Sequence, residues 1–177
     1  KTLRFHNRDI EYLNSLKLFS FSFLKYLKKF RFSGDVLAMP EGTVCFAGEP
    51  LIRITAPIIE AQILESFLLN TVHLQTMIAS KASRLVGASA DKPVYDFSFR
   101  RTHGFEASVK VARAAHIAGF CATSHCYAGL THAIPLAGTM AHSFVMSFKE
   151  ELDAFLAYAS VFPHKSILLV DTYNTKQ

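Results

Sequence analysis

From Val94 onward the chain repeats one pattern: a short apolar run, a polar cluster, then a segment with helical spacing. The apolar runs cover 94–99, 120–123, 134–138 and 166–170. Helical spacing covers 105–117, 125–130 and a stretch over 147–162, where Phe148, Leu152, Phe155, Ala159 and Phe162 fall on one stripe. Strands that are apolar along their whole length are covered on both faces, unlike strands that alternate. Strands separated by helices make parallel βα units. The second half of the chain is therefore expected to be α/β, a partial barrel with four of its strands, cut soon after the last one.

Residues 1–90 keep a different rhythm. Asn7 is placed to cap a helix through Ile10, Leu13 and Leu16. Phe23, Leu24, Leu27 and Phe30 mark a second helix, which Ser33-Gly34-Asp35 interrupts. Three short strands are predicted over 36–39, 43–46 and 51–55, with turns at Pro40-Glu41-Gly42 and at Ala47-Gly48-Glu49-Pro50. Pro57 suits the first turn of a long helix reaching, with a break, to about Val86. Its apolar residues, including Ile59, Ile63, Phe67, Val72 and Ile78, cover much of its circumference, which predicts burial on several sides. The expected organisation is a helical and antiparallel-sheet domain over 1–90, an α+β sheet domain, followed by the first half of an α/β barrel over 91–177.

The polar clusters follow the predicted strands. Arg100, Arg101, Thr102 and His103 follow the first, and Thr123, Ser124 and His125 close the second. Gly138, Thr139, Met140, Ala141 and His142 follow the third; Asp171, Thr172 and Tyr173 follow the fourth. Parallel α/β folds place their chemistry at the carboxyl ends of strands. Two arginines, several hydroxyls, an aspartate and histidines suit a phosphorylated sugar with an anionic co-substrate. Each residue also has a plainer reading. Arg100 and Arg101 are solvated or pair with Asp96 and Glu106, His142 is structural, and Asp171 caps a following helix.

Charge and cysteine usage narrow the alternatives. A net charge of +5 and a pI near 9.2 suit nucleic acid, acidic lipid or a phosphate-rich small substrate. Lys25, Lys28, Lys29 and Arg31 read as a solvated helix face, and no nucleic-acid-binding signature accompanies them, so no nucleic acid partner is expected. No apolar run is long enough to span a bilayer. Three cysteines and no recognisable signal peptide predict a reducing, cytoplasmic setting. Cys121, His125, Cys126 and His132 match no common zinc spacing, and no residue is assigned as a metal ligand. Cys126 beside His125 is a weak case for a thiol nucleophile. Walker and Rossmann glycine loops are absent.

Several segments resemble nicotinate phosphoribosyltransferases. Phe32-Ser33-Gly34-Asp35-Val36, Pro40-Glu41-Gly42-Thr43, Glu49-Pro50-Leu51 and Leu64-Glu65-Ser66-Phe67-Leu68-Leu69-Asn70 are similar to the family's amino-terminal domain. Asp96-Phe97-Ser98-Phe99-Arg100-Arg101-Thr102-His103-Gly104 is similar to its first barrel strand. Ala137-Gly138-Thr139-Met140-Ala141-His142-Ser143-Phe144 is the most specific match, and Leu168-Leu169-Val170-Asp171-Thr172-Tyr173 follows in the family's order.

The resemblance implies the irregular, TIM-like α/β barrel of the type II phosphoribosyltransferases, beside its sheet domain, in a homodimer. It implies condensation of nicotinate with phosphoribosyl pyrophosphate into nicotinate mononucleotide, with ATP hydrolysis coupled and Mg²⁺ required, as a salvage entry to NAD. His142 matches the histidine that ATP phosphorylates, and Asp171 a carboxylate near the ribose. Thr139 matches a nicotinate-contacting threonine and Arg100 an arginine near base and phosphate; Arg101, Ser124 and Thr172 complete the expected binding set. The family commonly carries aspartate and asparagine where this chain has Cys121 and His125. It also extends before Lys1 and beyond residue 177, so the chain reads as a segment of such an enzyme. Two alternatives stay open: a non-catalytic interaction or regulatory fragment of the family, and a sister enzyme using nicotinamide or quinolinate.

Overall fold

The computed structural model describes residues 3–175. The chain divides into two compact units, the first running to His73 and the second starting at Leu74.

The first unit opens with two helices. Helix α1 spans Asn7–Ser15, and its N-cap is His6 rather than Asn7. The Asp9 carboxylate, in the first turn, accepts from the His6 backbone N–H at 2.7 Å. An acceptor three residues ahead serves an otherwise unpaired amide. Helix α2 spans Phe21–Lys28, with Ser20 as N-cap accepting from the Phe23 N–H at 3.3 Å. Leu24 and Leu27 of α2 are buried, with Phe30 just beyond its end. Phe5 meets Phe30 edge-on at 5.6 Å. That is the favoured geometry for two ring quadrupoles.

Strand β1 (Asp35–Ala38) pairs antiparallel with β2 (Ile52–Thr55), Asp35 opposite Thr55 and Ala38 opposite Ile52. The strand expected over 43–46 is not formed. Phe46 instead closes a local turn: its N–H donates to Glu49 Oε2 at 2.8 Å, and its carbonyl accepts from the Glu49 N–H at 3.1 Å. Val44 and Phe46 stay largely exposed, so no apolar burial rewards an extended pairing there.

Gly34 shows why the chain breaks before β1. A Cβ at that position would lie 2.5 Å from both Ala56 Cβ and the Thr55 carbonyl oxygen, so only glycine permits this approach. The adjacent Ser33 is tied to Glu60 in the first turn of helix α3 (Ile58–Ala88). The buried carboxylate accepts from the Ser33 N–H at 2.7 Å and the Ser33 hydroxyl at 3.0 Å. Its charge also complements the positive helix N-terminus. Glu60→Ala would leave the Ser33 amide without its acceptor and is expected to cost about 2 kcal/mol. Urea unfolding of wild type and variant checks this; equal midpoints would reject the account.

Helix α3 runs without the expected break, and its burial is less than its composition predicts. Glu60 and Ala82 are buried, whereas Phe67, Leu69, Met77 and Leu85 are exposed. Periodicity reports which residues want cover, and the tertiary surroundings decide which receive it.

In the second unit, β3 (Tyr95–Asp96) is followed by a 3-10 turn (Phe99–Arg101) and helix α4 (Phe105–Ile117). Strand β4 (Ala122–Thr123) leads to helix α5 (Cys126–His132). The pairing of β3 with β4 is parallel, Tyr95 with Ala122 and Asp96 with Thr123, and Thr123 makes a parallel bridge to Leu136. Three of the four expected strands thus survive as short parallel steps. The fourth, over 166–170, forms no strand; its residues are mostly exposed and find no ladder partner. The small residues Ala112 and Ala128 pack with Ile134 and Val109 under the β4 crossover. Gly129 faces Leu136 so closely that a Cβ would lie 2.5 Å from the leucine side chain. Helices α6 (His142–Val145) and α7 (Glu151–Val161) follow. Their Val145 and Ala154 are buried with Met140, against Phe144, Phe148, Phe155, Tyr158 and Leu169. Among the described residues no helix is long and apolar enough to cross a membrane.

Candidate functional site

The parallel steps make three polar segments leave the sheet in the same direction. Residues after Asp96, after Thr123 and after Leu136 all follow the carboxyl end of a paired strand. Arg100 and Arg101 lie in the 3-10 turn after β3, both exposed. Ser124 follows β4, exposed, with its N–H donating to the Asp96 carbonyl at 2.9 Å. Thr139 is exposed too, and its hydroxyl turns to the Met140 carbonyl at 3.1 Å.

The fourth segment arrives by packing rather than by pairing. Leu169 lies against the Met140, Val145 and Ala154 cluster, and the chain then presents Asp171 and Thr172 to His142. His142 is the first residue of α6, with Ala141 as its extended N-cap. Its Nδ1 is 3.2 Å from Thr172 Oγ1, in hydrogen-bond contact, and its Nε2 is 3.9 Å from Asp171 Oδ1. The two side chains are 46% and 61% exposed, which leaves the imidazole open to a ligand. The structure therefore brings together His142, Asp171 and Thr172. Among the described residues no hydrogen bond or ion pair joins Arg100, Arg101, Ser124 or Thr139 to that group.

Tautomer and charge follow from these neighbours. A carboxylate facing Nε2 favours a proton on that nitrogen, and a hydroxyl beside Nδ1 can donate to its lone pair. In that tautomer the Nδ1 lone pair, beside the Thr172 hydroxyl, is the ring's basic position. A carboxylate that holds the far nitrogen protonated also compensates the positive charge that develops when the near nitrogen is substituted.

Beneath the strand ends lies a buried polar network that the sequence alone does not reveal. Asp96 and Thr123 are 5% and 1% exposed. The Thr123 hydroxyl donates to Asp96 Oδ2 at 2.8 Å, and the Ser98 N–H donates to Asp96 Oδ1 at 3.0 Å. The His125 N–H in turn donates to Thr123 Oγ1 at 3.0 Å. Asp96 is thus engaged with Thr123 and Ser98, and the sequence reading that pairs it with Arg100 or Arg101 finds no such ion pair. The only hint in the sequence is a carboxylate inside an otherwise apolar run.

Comparison with known proteins agrees along the chain. The model of the nicotinate phosphoribosyltransferase (NAPRTase) N-terminal domain matches residues 1–73. A nicotinate phosphoribosyltransferase of Mycobacterium tuberculosis is 50% identical over 175 residues, covering 99% of this chain and 38% of that protein. The Bacillus subtilis nicotinate phosphoribosyltransferase is 41% identical over 176 residues, covering 99% and 36%. Human nicotinic acid phosphoribosyltransferase superposes with a TM-score of 0.87 at 26% identity, over 97% of this chain and 44% of that one. Nicotinate-nucleotide pyrophosphorylase from Pyrococcus furiosus superposes with a TM-score of 0.76 at 30% identity, over 81% and 37%. The chain spans less than half the length of each of these relatives. The first 73 residues thus match the N-terminal domain of nicotinate phosphoribosyltransferases, and nearly the whole chain is similar to a part of such proteins.

Proposed function

We propose that this chain carries the phosphoryl-accepting part of a nicotinate phosphoribosyltransferase, an enzyme that joins nicotinate to phosphoribosyl pyrophosphate and releases nicotinate mononucleotide and pyrophosphate. ATP hydrolysis is coupled to that condensation, which feeds NAD synthesis. The observation that carries the reading is the exposed His142 imidazole set between Thr172 and Asp171.

In the first half-reaction the Nδ1 lone pair of His142 attacks the γ-phosphorus of ATP. The N–P bond forms, the bond to the β,γ-bridging oxygen breaks, and ADP leaves with that electron pair. Asp171 holds Nε2 protonated throughout and offsets the positive ring. The added phosphoryl charge then alters the affinity of the site for its polyanionic substrate. In the second half-reaction positive charge builds on the ribose as pyrophosphate departs. Asp171 is the carboxylate to face the ribose, and Arg100 and Arg101 are the cations to hold the phosphates. Thr139 and Ser124 provide hydroxyls for the base and phosphate.

Magnesium fits this donor set as an ion carried in by the phosphates. Mg²⁺ keeps several waters and takes one or two carboxylates. Asp171 is the residue that would hold it, and the described residues form no group of three or more His, Cys, Asp or Glu side chains able to cage a metal. Once bound, the ion neutralises charge on the phosphate oxygens.

The finer architecture belongs to the same reading. The parallel steps at 95–96, 122–123 and 136 support an irregular α/β barrel of the type II phosphoribosyltransferases. Exposed apolar side chains such as Phe21, Val44 and Leu130 support assembly, for which a homodimer is the expected form.

The test is the mass of the protein at its full natural length after incubation with Mg-ATP. The expected result is a gain of one phosphoryl group, localised to His142 by fragmentation under conditions that preserve phosphohistidine. No gain, or a gain mapped to another residue, would overturn the phosphohistidine step.

A further inference from the structure

The turn that carries Arg100 and Arg101 is too short to hold itself. It is a single 3-10 turn, closed by the Arg101 N–H to the Ser98 carbonyl at 2.8 Å and the Thr102 N–H to the Phe99 carbonyl at 3.2 Å. Short 3-10 segments gain little from their own hydrogen bonds and depend on what packs against them. Here the packing is aromatic. The Phe99 ring stacks on the His125 imidazole with centroids 4.1 Å apart and planes 14° apart. Phe105 meets the same imidazole edge-on at 5.6 Å.

His125 is itself fixed at both ends. It is 2% exposed, and its Nε2 lies 2.8 Å from Ser108 Oγ. The single Ser108 hydroxyl hydrogen is committed to the Phe105 carbonyl at 2.6 Å, so Nε2–H must be the donor. Its backbone N–H joins, through Thr123, the Asp96 carboxylate, which also caps the Ser98 N–H immediately before the turn. The Thr102 hydroxyl closes the far side on the Ser98 carbonyl at 3.0 Å. A rigid imidazole thus forms the floor under Phe99, and the two arginines follow Phe99 directly in sequence.

We propose that His125 is a positioning residue for Arg100 and Arg101, acting through the Phe99 stack to hold both guanidiniums where phosphate groups of the substrate bind. Among the described residues no hydrogen bond joins it to either arginine, and the role needs no contact with substrate. The proposal rests on the reading above that these arginines bind phosphate. A loosely held pair of cations loses affinity because the bound geometry has to be selected from many.

Pyrophosphate is the probe, titrated calorimetrically into the full-length protein. His125→Gln keeps a donor for Ser108 but removes the ring, and it is expected to raise the pyrophosphate Kd roughly tenfold. His125→Phe keeps the stack and loses the donor, and is expected to stay near wild type. In an Arg100→Ala, Arg101→Ala background, His125→Gln is expected to add nothing. An additive effect in that background, or weakening by His125→Phe as large as by His125→Gln, would overturn the positioning role and leave the arginines as phosphate ligands. If the double arginine variant binds pyrophosphate like wild type, the phosphate reading fails and takes this proposal with it. Should His125→Gln not fold, the Phe99→Ala variant tests the same contact from its other side, with the same expected weakening and the same overturning result.

Discussion

Phosphorylation by Mg-ATP is expected to disappear in His142→Ala and to slow by about 10²-fold in Asp171→Asn, the scale typical of losing one positioned proton-handling or charge-compensating group. The two variants separate two roles. In the proposed reaction His142 is the nucleophile, so its loss would leave nothing for the γ-phosphorus to bond. Asp171 supplies charge 3.9 Å from Nε2. An asparagine fills the same space without the charge, so the ring carries its developing positive charge uncompensated. Both side chains are about half exposed. The Asp171 contribution is therefore screened, and the ratio between wild type and Asp171→Asn should shrink as ionic strength rises. Quenched time courses read by intact mass give both rates. Equal rates for wild type and Asp171→Asn would remove Asp171 from the phosphoryl step, and full phosphorylation of His142→Ala would move the nucleophile elsewhere.

The second large effect concerns stability. Asp96→Ala is expected to destabilise the second unit by about 3 kcal/mol, because it strands one buried and one part-buried donor at once. The Thr123 hydroxyl and the Ser98 N–H both depend on that carboxylate. Thr123 is almost fully buried, so water is poorly placed to replace the acceptor. Asp96→Asn keeps one acceptor oxygen and adds donors, and should fall between wild type and alanine. Urea unfolding monitored by circular dichroism checks the order. Alanine and wild type unfolding together would mean that solvent satisfies those groups, and the network would not anchor the strand ends.

The sequence on its own determined the local features. Helices α2 and α4 follow from apolar spacing, with the break at Ser33-Gly34-Asp35 after the first of them. The polar clusters were also legible, because a short apolar run followed by Arg, Thr, His or Asp needs no partner to be seen. Long-range pairing was less legible. The run at 43–46 has strand character, yet the Phe46–Glu49 turn captures its backbone groups locally. The run at 134–138 pairs only through Leu136, and the run at 166–170 contributes through Leu169 packing instead of a ladder. Only the tertiary structure decided which clusters meet. His142 reaches Asp171 and Thr172 because Leu169 docks on the α6–α7 core. His125, which in sequence reads as a neighbour of Cys126, turns inward to Ser108 and Phe99. Spacing along a chain encodes which face a residue takes within its own element. Which distant element lies across from it depends on burial and hydrogen-bond satisfaction summed over the fold, and neither is written in any local segment.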